Sequence, residues 1–252
     1  MDLRLADNQK ISKKEKWALQ LAMFLLFFDN KSYKKVITID KRNIIKELCY
    51  CARLYEKNLA NKNIMFIYKD RKVKYIETKF TKSNFLHLTG ITMLNPKINA
   101  NMFYNQCLHN RIEEKLLGYR KDGNTIKKMS VLAMLMNIHK NAKMIGDYDG
   151  NRVFLYSNKL IGNINSCLGF IPKDKYYICN TSLKEDIRNI TYNHKKIICI
   201  LSKKIQEKQY NEITYINPQY REDIYDTKEI MDKISEEKRE KFAYCVKDGN
   251  DI

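Results

Sequence analysis

One of the four histidines stands out because of the residues around it. His87 lies in the segment 79–90, which follows a strand-like stretch and opens a helical one. A histidine can accept or donate a proton near neutrality because its ordinary pKa is about 6.5. Lys79 and Lys82 precede it, and cations beside a general base suit a phosphodiester substrate. The segment therefore predicts a nucleic-acid site in which His87 acts as base or acid.

The spacing around His87 predicts how a helix would present it. On one helical turn Asn84 shares a face with His87, whereas Phe85 and Leu88 point to the other side. We expect the polar pair to face a cleft, with Asn84 contacting nucleic acid, and the apolar pair to anchor the turn. For an isolated histidine the alternative interpretation is a half-buried side chain with satisfied hydrogen bonds.

Five further residues could assist chemistry on a phosphodiester. Lys203 and Lys204 end a strand-like run and could contact phosphate. Thr181 and Ser182 begin a segment that resembles a short helix, whose free N–H groups would form an anion site. Tyr104 could supply a phenol for proton transfer or stack on a base. Each also has an ordinary interpretation, namely solvated lysines, helix caps and a packing tyrosine.

The sequence lacks the motifs of several cofactor-dependent and metal-dependent classes. It contains no GxxxxGKS/T, GxGxxG, HExxH or GxSxG pattern and no clustered carboxylates that would hold two metal ions. Its seven cysteines are scattered without CxxC spacing, which indicates reduced core thiols in a cytosolic protein. We therefore expect no cofactor and no metal.

Composition indicates a folded, basic protein. The chain has 252 residues, 44% of them hydrophobic, and its 47 Lys plus Arg exceed its 29 Asp plus Glu by 18 charges. Such an excess suits a polyanionic partner such as RNA, although an AT-biased coding sequence would also enrich lysine. The longest apolar run, residues 17–28, is too short to span a bilayer, so we expect a cytoplasmic protein with no membrane contact.

Hydrophobic periodicity predicts an α+β protein with three parts. A helical N-terminal module fills residues 1–60, with helices near 12–28 and 40–55, and a charged C-terminal helix or tail fills 221–252. Between them, residues 61–220 are expected to hold a hairpin, helices and a small antiparallel β-sheet. The predicted elements of this middle part are strands at 63–68 and 73–78, helices at 84–90, 100–117 and 125–139, strands at 152–156, 160–164, 167–171, 176–179 and 196–201, and a short helix at 183–190.

One motif in this middle part resembles a known family. The pattern of Phe80, Ser83, Asn84, Phe85, His87, Leu88 and Gly90, followed by Phe103-Tyr104, is similar to the phage Barnase-EndoU-Colicin-RelE-like (PBECR) nuclease domains. The resemblance extends over residues 62–217 and implies a BECR-like fold, a helical portion followed by a small antiparallel sheet. It also implies a cleft that cuts RNA without metal. The resemblance places His87 at the motif histidine, Thr181 or Ser182 at a polar position of the family, and Lys203 at a basic position.

Two functions remain open from the sequence. The first is a metal-independent endoribonuclease of phage or mobile-element origin, used as a toxin or against the host, with His87 as base or acid. The second is a catalytically inactive phage protein that inhibits a nucleic-acid-handling defence complex of the host, in the manner of an anti-CRISPR. A host or immunity protein is thus an expected partner beside RNA.

Overall fold

The computed structural model describes residues 33–34, 41–150 and 155–243. The predicted helix at 12–28 lies outside these residues. The strands are β1 (Tyr33–Lys34), β2 (Lys62–Lys69), β3 (Val73–Phe80), β4 (Ile91–Met93), β5 (Leu117–Arg120), β6 (Met144–Tyr148), β7 (Lys159–Gly162), β8 (Cys167–Lys173), β9 (Tyr176–Leu183), β10 (Thr191–Lys204) and β11 (Glu212–Ile216). The α-helices are α1 (Lys41–Asn58), α2 (Asn84–Thr89), α3 (Ala100–Leu108), α4 (Asn124–Leu135), α5 (Ile138–Asn141), α6 (Ile187–Ile190), α7 (Arg221–Tyr225), α8 (Lys228–Met231) and α9 (Glu236–Ala243).

The main sheet closes on itself. Its seven strands follow the order β10-β2-β3-β9-β8-β7-β6, and β6 pairs again with β10, while β11 extends the sheet from the other side of β10. The 14-residue strand β10 allows this closure because its first part pairs with β6 and its later part pairs with β2. Every pairing in the closed sheet is antiparallel except β3 with β9, which is parallel. A separate three-stranded sheet joins β1, β5 and β4.

The predicted fold class is therefore wrong in its architecture. The protein is not a helical N-terminal module followed by a small antiparallel sheet, since its sheet is a closed seven-stranded mixed barrel that includes the β2–β3 hairpin. Short strand-to-strand links correctly indicated antiparallel neighbours. They could not reveal the parallel β3–β9 contact, because about a hundred residues separate those two strands.

Two principal cores lie on the sheet. The first joins α1 to α5 with β2, β3 and the strands beyond them. At its centre the rings of Tyr55, Phe80, Phe85 and Tyr104 meet in edge-to-face or tilted pairs, with ring centres 5.4–6.4 Å apart. The second packs β2 and β10 against α7, α8 and the buried Phe242 of α9. No helix in the described part of the chain is long and apolar enough to cross a membrane.

Most predicted elements exist, with shifted ends. The β2–β3 hairpin and the helices at α1 and α2 are confirmed. The helix predicted over 100–117 stops at Leu108, and the one predicted over 125–139 divides into α4 and α5. The helix predicted over 183–190 is only the four-residue α6, because β9 continues to Leu183.

Candidate active site

A short helix fixes the position of His87. In α2, Phe85 and Leu88 are completely buried, whereas His87 is exposed. The prediction that the apolar pair anchors this turn is confirmed. The helix ends at Gly90, whose φ of 68° is the left-handed conformation that favours glycine. A Cβ at Gly90 would also lie 2.9 Å from the Cδ atom of Lys128, so both the backbone and the neighbouring side chain require glycine there.

Asn84 secures the beginning of α2. Its Oδ1 accepts hydrogen bonds from the backbone N–H of Thr81 at 2.7 Å and from the Thr81 hydroxyl at 2.8 Å, and its Nδ2 donates to the carbonyl of Cys179 at 2.9 Å. The side chain is buried, so the predicted shared face with the exposed His87 is wrong. Its amide ties the β3–α2 turn to β9 and thereby holds the helix that carries His87.

Lys128 reaches His87 from α4. Its Nζ donates to the main-chain carbonyl of His87 at 3.3 Å and to the Oγ1 atom of Thr181 on β9 at 2.9 Å. An ammonium group has three N–H donors, so these two bonds leave one for a substrate oxygen. Lys128 thus links three elements, α2, α4 and β9, at the point where the histidine is exposed.

The surroundings of His87 and Lys128 lower the pKa of both side chains. Desolvation, followed by the Lys128 charge, lowers the pKa of His87 below its ordinary 6.5. Burial is the main cause that lowers the pKa of Lys128 from 10.5 to about 8, and the Arg120 charge acts in the same direction. His87 is therefore neutral at pH 7, while Lys128 is still largely protonated and close to its own pKa.

The loop before α4 supports this arrangement. The Arg120 guanidinium binds the carboxylate of Asp122 at 2.9 Å and holds the pKa of that carboxyl below its usual value. The Thr125 hydroxyl donates to the carbonyl of Gly90 at 2.7 Å and accepts from the backbone N–H of Arg120 at 3.0 Å. These bonds fasten the loop to the end of α2, so Lys128 and His87 are held in a fixed relation.

A glycine on β8 allows close packing beside Thr181. A Cβ at Gly169 would lie 2.7 Å from the Cγ2 atom of Thr181 and 2.4 Å from the Oγ of Ser157. The same Ser157 hydroxyl lies 3.0 Å from the Oδ1 atom of Asn180. Hydroxyl and amide groups therefore border the site on the β9 side.

Ser182 and Tyr104 are buried packing residues in the structure. Ser182 is completely buried on β9, and its hydroxyl donates to the carbonyl of Leu88 at 2.6 Å. Tyr104 is also completely buried and its hydroxyl donates a hydrogen bond to Glu56, so burial and, after it, this bond raise its pKa. The interpretation of Thr181 and Ser182 as helix caps is wrong, because both lie in β9 and Asp186 caps α6 instead.

The remaining predicted lysines divide between two places. Lys82 lies near α2, with its Nζ 6.0 Å from the ring centre of Tyr104. Lys203 is buried, and its Nζ donates to the carbonyl of Lys208 at 2.7 Å, so its contacts are not with His87. Lys79 occupies the strand position that is in register with Lys203 across β2, and Lys204 is exposed.

Comparison with protein-family models identifies the family to which this chain belongs. The family model of phage-Barnase-EndoU-ColicinE5/D-RelE like nuclease 4, PBECR4, matches residues 47–219, which is more than half of the chain. The chain belongs to this nuclease family. No characterised protein and no solved structure matches it. The matched region contains α2, α4 and β9, so the three elements that meet at His87 all lie within the family domain.

Lys128 is the site residue that the sequence interpretation missed. The periodicity of α4 nevertheless contains a signal, since Lys128 lies three residues after the buried Thr125 and four before the buried Leu132. That spacing places a lysine on the apolar face of the helix, where a charge is costly and needs a partner.

Proposed function

We propose that this protein is an endoribonuclease that cleaves RNA through general acid/base chemistry at His87 and Lys128, without a metal ion. The observation that carries the proposal is the Lys128 ammonium group, which bonds both the His87 carbonyl and the Thr181 hydroxyl. It supplies a second proton-transfer group beside an exposed histidine. Membership in a nuclease family supports the reaction class.

The protonation states suit the transfer of a phosphoryl group to a neighbouring hydroxyl. Neutral His87 removes the proton from the ribose 2′-OH, and the 2′-oxygen attacks phosphorus. Lys128 neutralises charge on the pentavalent phosphorane and donates a proton to the departing 5′-oxygen. The O5′–P bond breaks as the O2′–P bond forms, so the products are a 2′,3′-cyclic phosphate and a free 5′-hydroxyl.

Two further features support RNA as the substrate. The formal charge of +18 favours association with a polyanion. The border formed by Thr181, Ser157 and Asn180 offers hydroxyl and amide groups that can bond ribose and phosphate oxygens. We place the activity in the cytosol of a host cell, as expected for a nuclease of phage or mobile-element origin.

A cleavage assay with matched variants tests this proposal. Purified protein is incubated with total RNA in excess EDTA, and wild type is compared with His87→Ala, Lys128→Met and the exposed-lysine control Lys127→Met. We expect cleavage by wild type and by Lys127→Met, and a loss of at least about 100-fold in the other two. Unchanged cleavage by His87→Ala would refute the assignment.

The same experiment separates the inhibitor function that the sequence left open. If the protein is an inhibitor, neither the wild type nor any variant yields product RNA, whether EDTA or divalent cations are added. Tight, salt-sensitive binding to a defence complex, unaffected by His87→Ala, would then replace the nuclease proposal.

A further inference from the structure

Two lysines approach the ring of Tyr176, which begins β9, and a third lysine lies on the same sheet. Lys79 and Lys175 both approach its ring, with Nζ atoms 5.8 Å and 5.3 Å from the ring centre. Lys203 aligns with Asn63 on β2, and Asn63 aligns with Lys79 on β3. Neighbouring strands lie about 4.8 Å apart, so the backbones of Lys79 and Lys203 are roughly 10 Å apart. We call Tyr176, Lys79, Lys175 and Lys203 the Tyr176 cluster.

No carboxylate is paired directly with these lysines in the part of the chain that the structure describes. The charge of Glu77 acts on Lys203, but its two oxygens are already bonded to the Tyr210 hydroxyl at 2.9 Å and the Lys233 ammonium at 3.0 Å. Among the described residues no carboxylate forms an ion pair with any of the three cluster lysines. Like charges that lie close together repel each other, and a bound anion reduces that repulsion.

Lys203 adds a buried charge to the cluster. It is only 9% exposed, and its Nζ lies 4.7 Å from the ring centre of Tyr210. Desolvation lowers its pKa against the opposing charge of Glu77, and the charges of Lys233 and Lys175 act in the same direction as desolvation. A phosphate bound at the cluster would relieve both the repulsion and part of the desolvation.

We propose that the Tyr176 cluster is a second RNA-binding subsite, which holds the phosphate backbone of nucleotides that flank the cleavage position. It lies on the same strand as Thr181 of the proposed active site, because Tyr176 begins β9 and Thr181 follows five residues later. At about 3.3 Å per residue this is roughly 17 Å, so one extended RNA strand can occupy both places. The exposed part of the Tyr176 ring offers a surface on which a base can stack. This inference rests on RNA being the substrate.

Binding measurements test the subsite independently of catalysis. In a His87→Ala background, Lys79→Gln/Lys175→Gln is compared with Lys97→Gln/Lys140→Gln, which removes the same charge from exposed positions elsewhere. The probe is a fluorescent 20-nucleotide RNA carrying 2′-O-methyl groups, and its affinity is measured by anisotropy from 50 to 300 mM salt. Circular dichroism confirms that each variant is folded.

Loss of two phosphate contacts predicts a specific result. The slope of log affinity against log salt should fall by about 1.4, which corresponds to roughly 25-fold weaker binding at 0.1 M salt. The Lys97/Lys140 pair should bind like its parent. Equal slopes for the two pairs would overturn the subsite. If the two pairs of variants give the predicted slopes but the wild type cleaves no RNA, the subsite stands and the ribonuclease proposal fails.

Discussion

Replacing Lys128 with methionine should change how stability depends on pH. Burial lowers the pKa of this lysine from 10.5 to about 8 in the folded protein. At about 1.4 kcal/mol per pKa unit, keeping it protonated costs the folded state about 3 kcal/mol at neutral pH. Methionine removes that cost and also removes the two hydrogen bonds of the ammonium group, so the net change at pH 7 is small.

The sign of the pH effect follows from the lowered pKa. Below pH 8 both the folded and the unfolded chain hold the proton, so the full cost applies. Above pH 10.5 neither state holds it, and the cost is gone. The unfolded chain binds more protons between these values, so wild type should gain about 3 kcal/mol of stability relative to Lys128→Met as pH rises from 7.5 to 10.5.

Urea unfolding followed by circular dichroism, at half-unit pH steps and with reductant for the thiols, measures this difference directly. The control is Lys127→Met, which removes an exposed lysine from the same helix and should give a difference curve without the rise. A flat curve for Lys128→Met would show that the ammonium group is well solvated, and the reasoning about its role as an acid near neutrality would be refuted.

Three further outcomes follow from the same geometry. The pH profile of kcat/KM should be bell-shaped. It should fall on the acid side as His87 gains its proton below pH 6.5, and on the alkaline side near pH 8 as Lys128 loses its proton. A profile that keeps rising to pH 10 would exclude Lys128 as the acid. Phe85→Ala should lower the free energy of unfolding by about 3–5 kcal/mol, measured by urea titration, because the ring is completely buried; a loss below about 1 kcal/mol would contradict the packing of α2. Asn84→Ala leaves buried backbone groups without partners, so it should cost about 1–3 kcal/mol and reduce cleavage; full activity would show that α2 needs no such tie.

The sequence predicted the local features of the site better than its surroundings. His87 at a hairpin-to-helix junction, the burial of Phe85 and Leu88, and the hairpin itself all follow from periods of 2.0 and 3.6 residues within one short segment. Closure of the sheet did not follow, because it depends on β10 pairing with both β2 and β6, strands that lie far away in sequence.

Lys128 was not predicted for a related reason. Lys128 is 41 residues from His87 and 53 from Thr181, and only the packing of α4 against α2 and β9 brings the three together. Lys203, by contrast, was predicted to act with His87 because it ends a strand-like run and matches a basic position of the family that the sequence resembles. Its contacts with Lys208 and Tyr210 lie on another part of the sheet.

Analysis of product ends tests the central claim most directly. A single-turnover reaction in EDTA uses two oligonucleotides, one entirely of RNA and one with a 2′-deoxy nucleotide at the mapped cleavage position. If His87 and Lys128 act as proposed, the RNA yields a 2′,3′-cyclic phosphate and a 5′-hydroxyl, and the 2′-deoxy substrate is not cut at that position. Cleavage of the 2′-deoxy substrate, or products that carry a 5′-phosphate, would contradict the account.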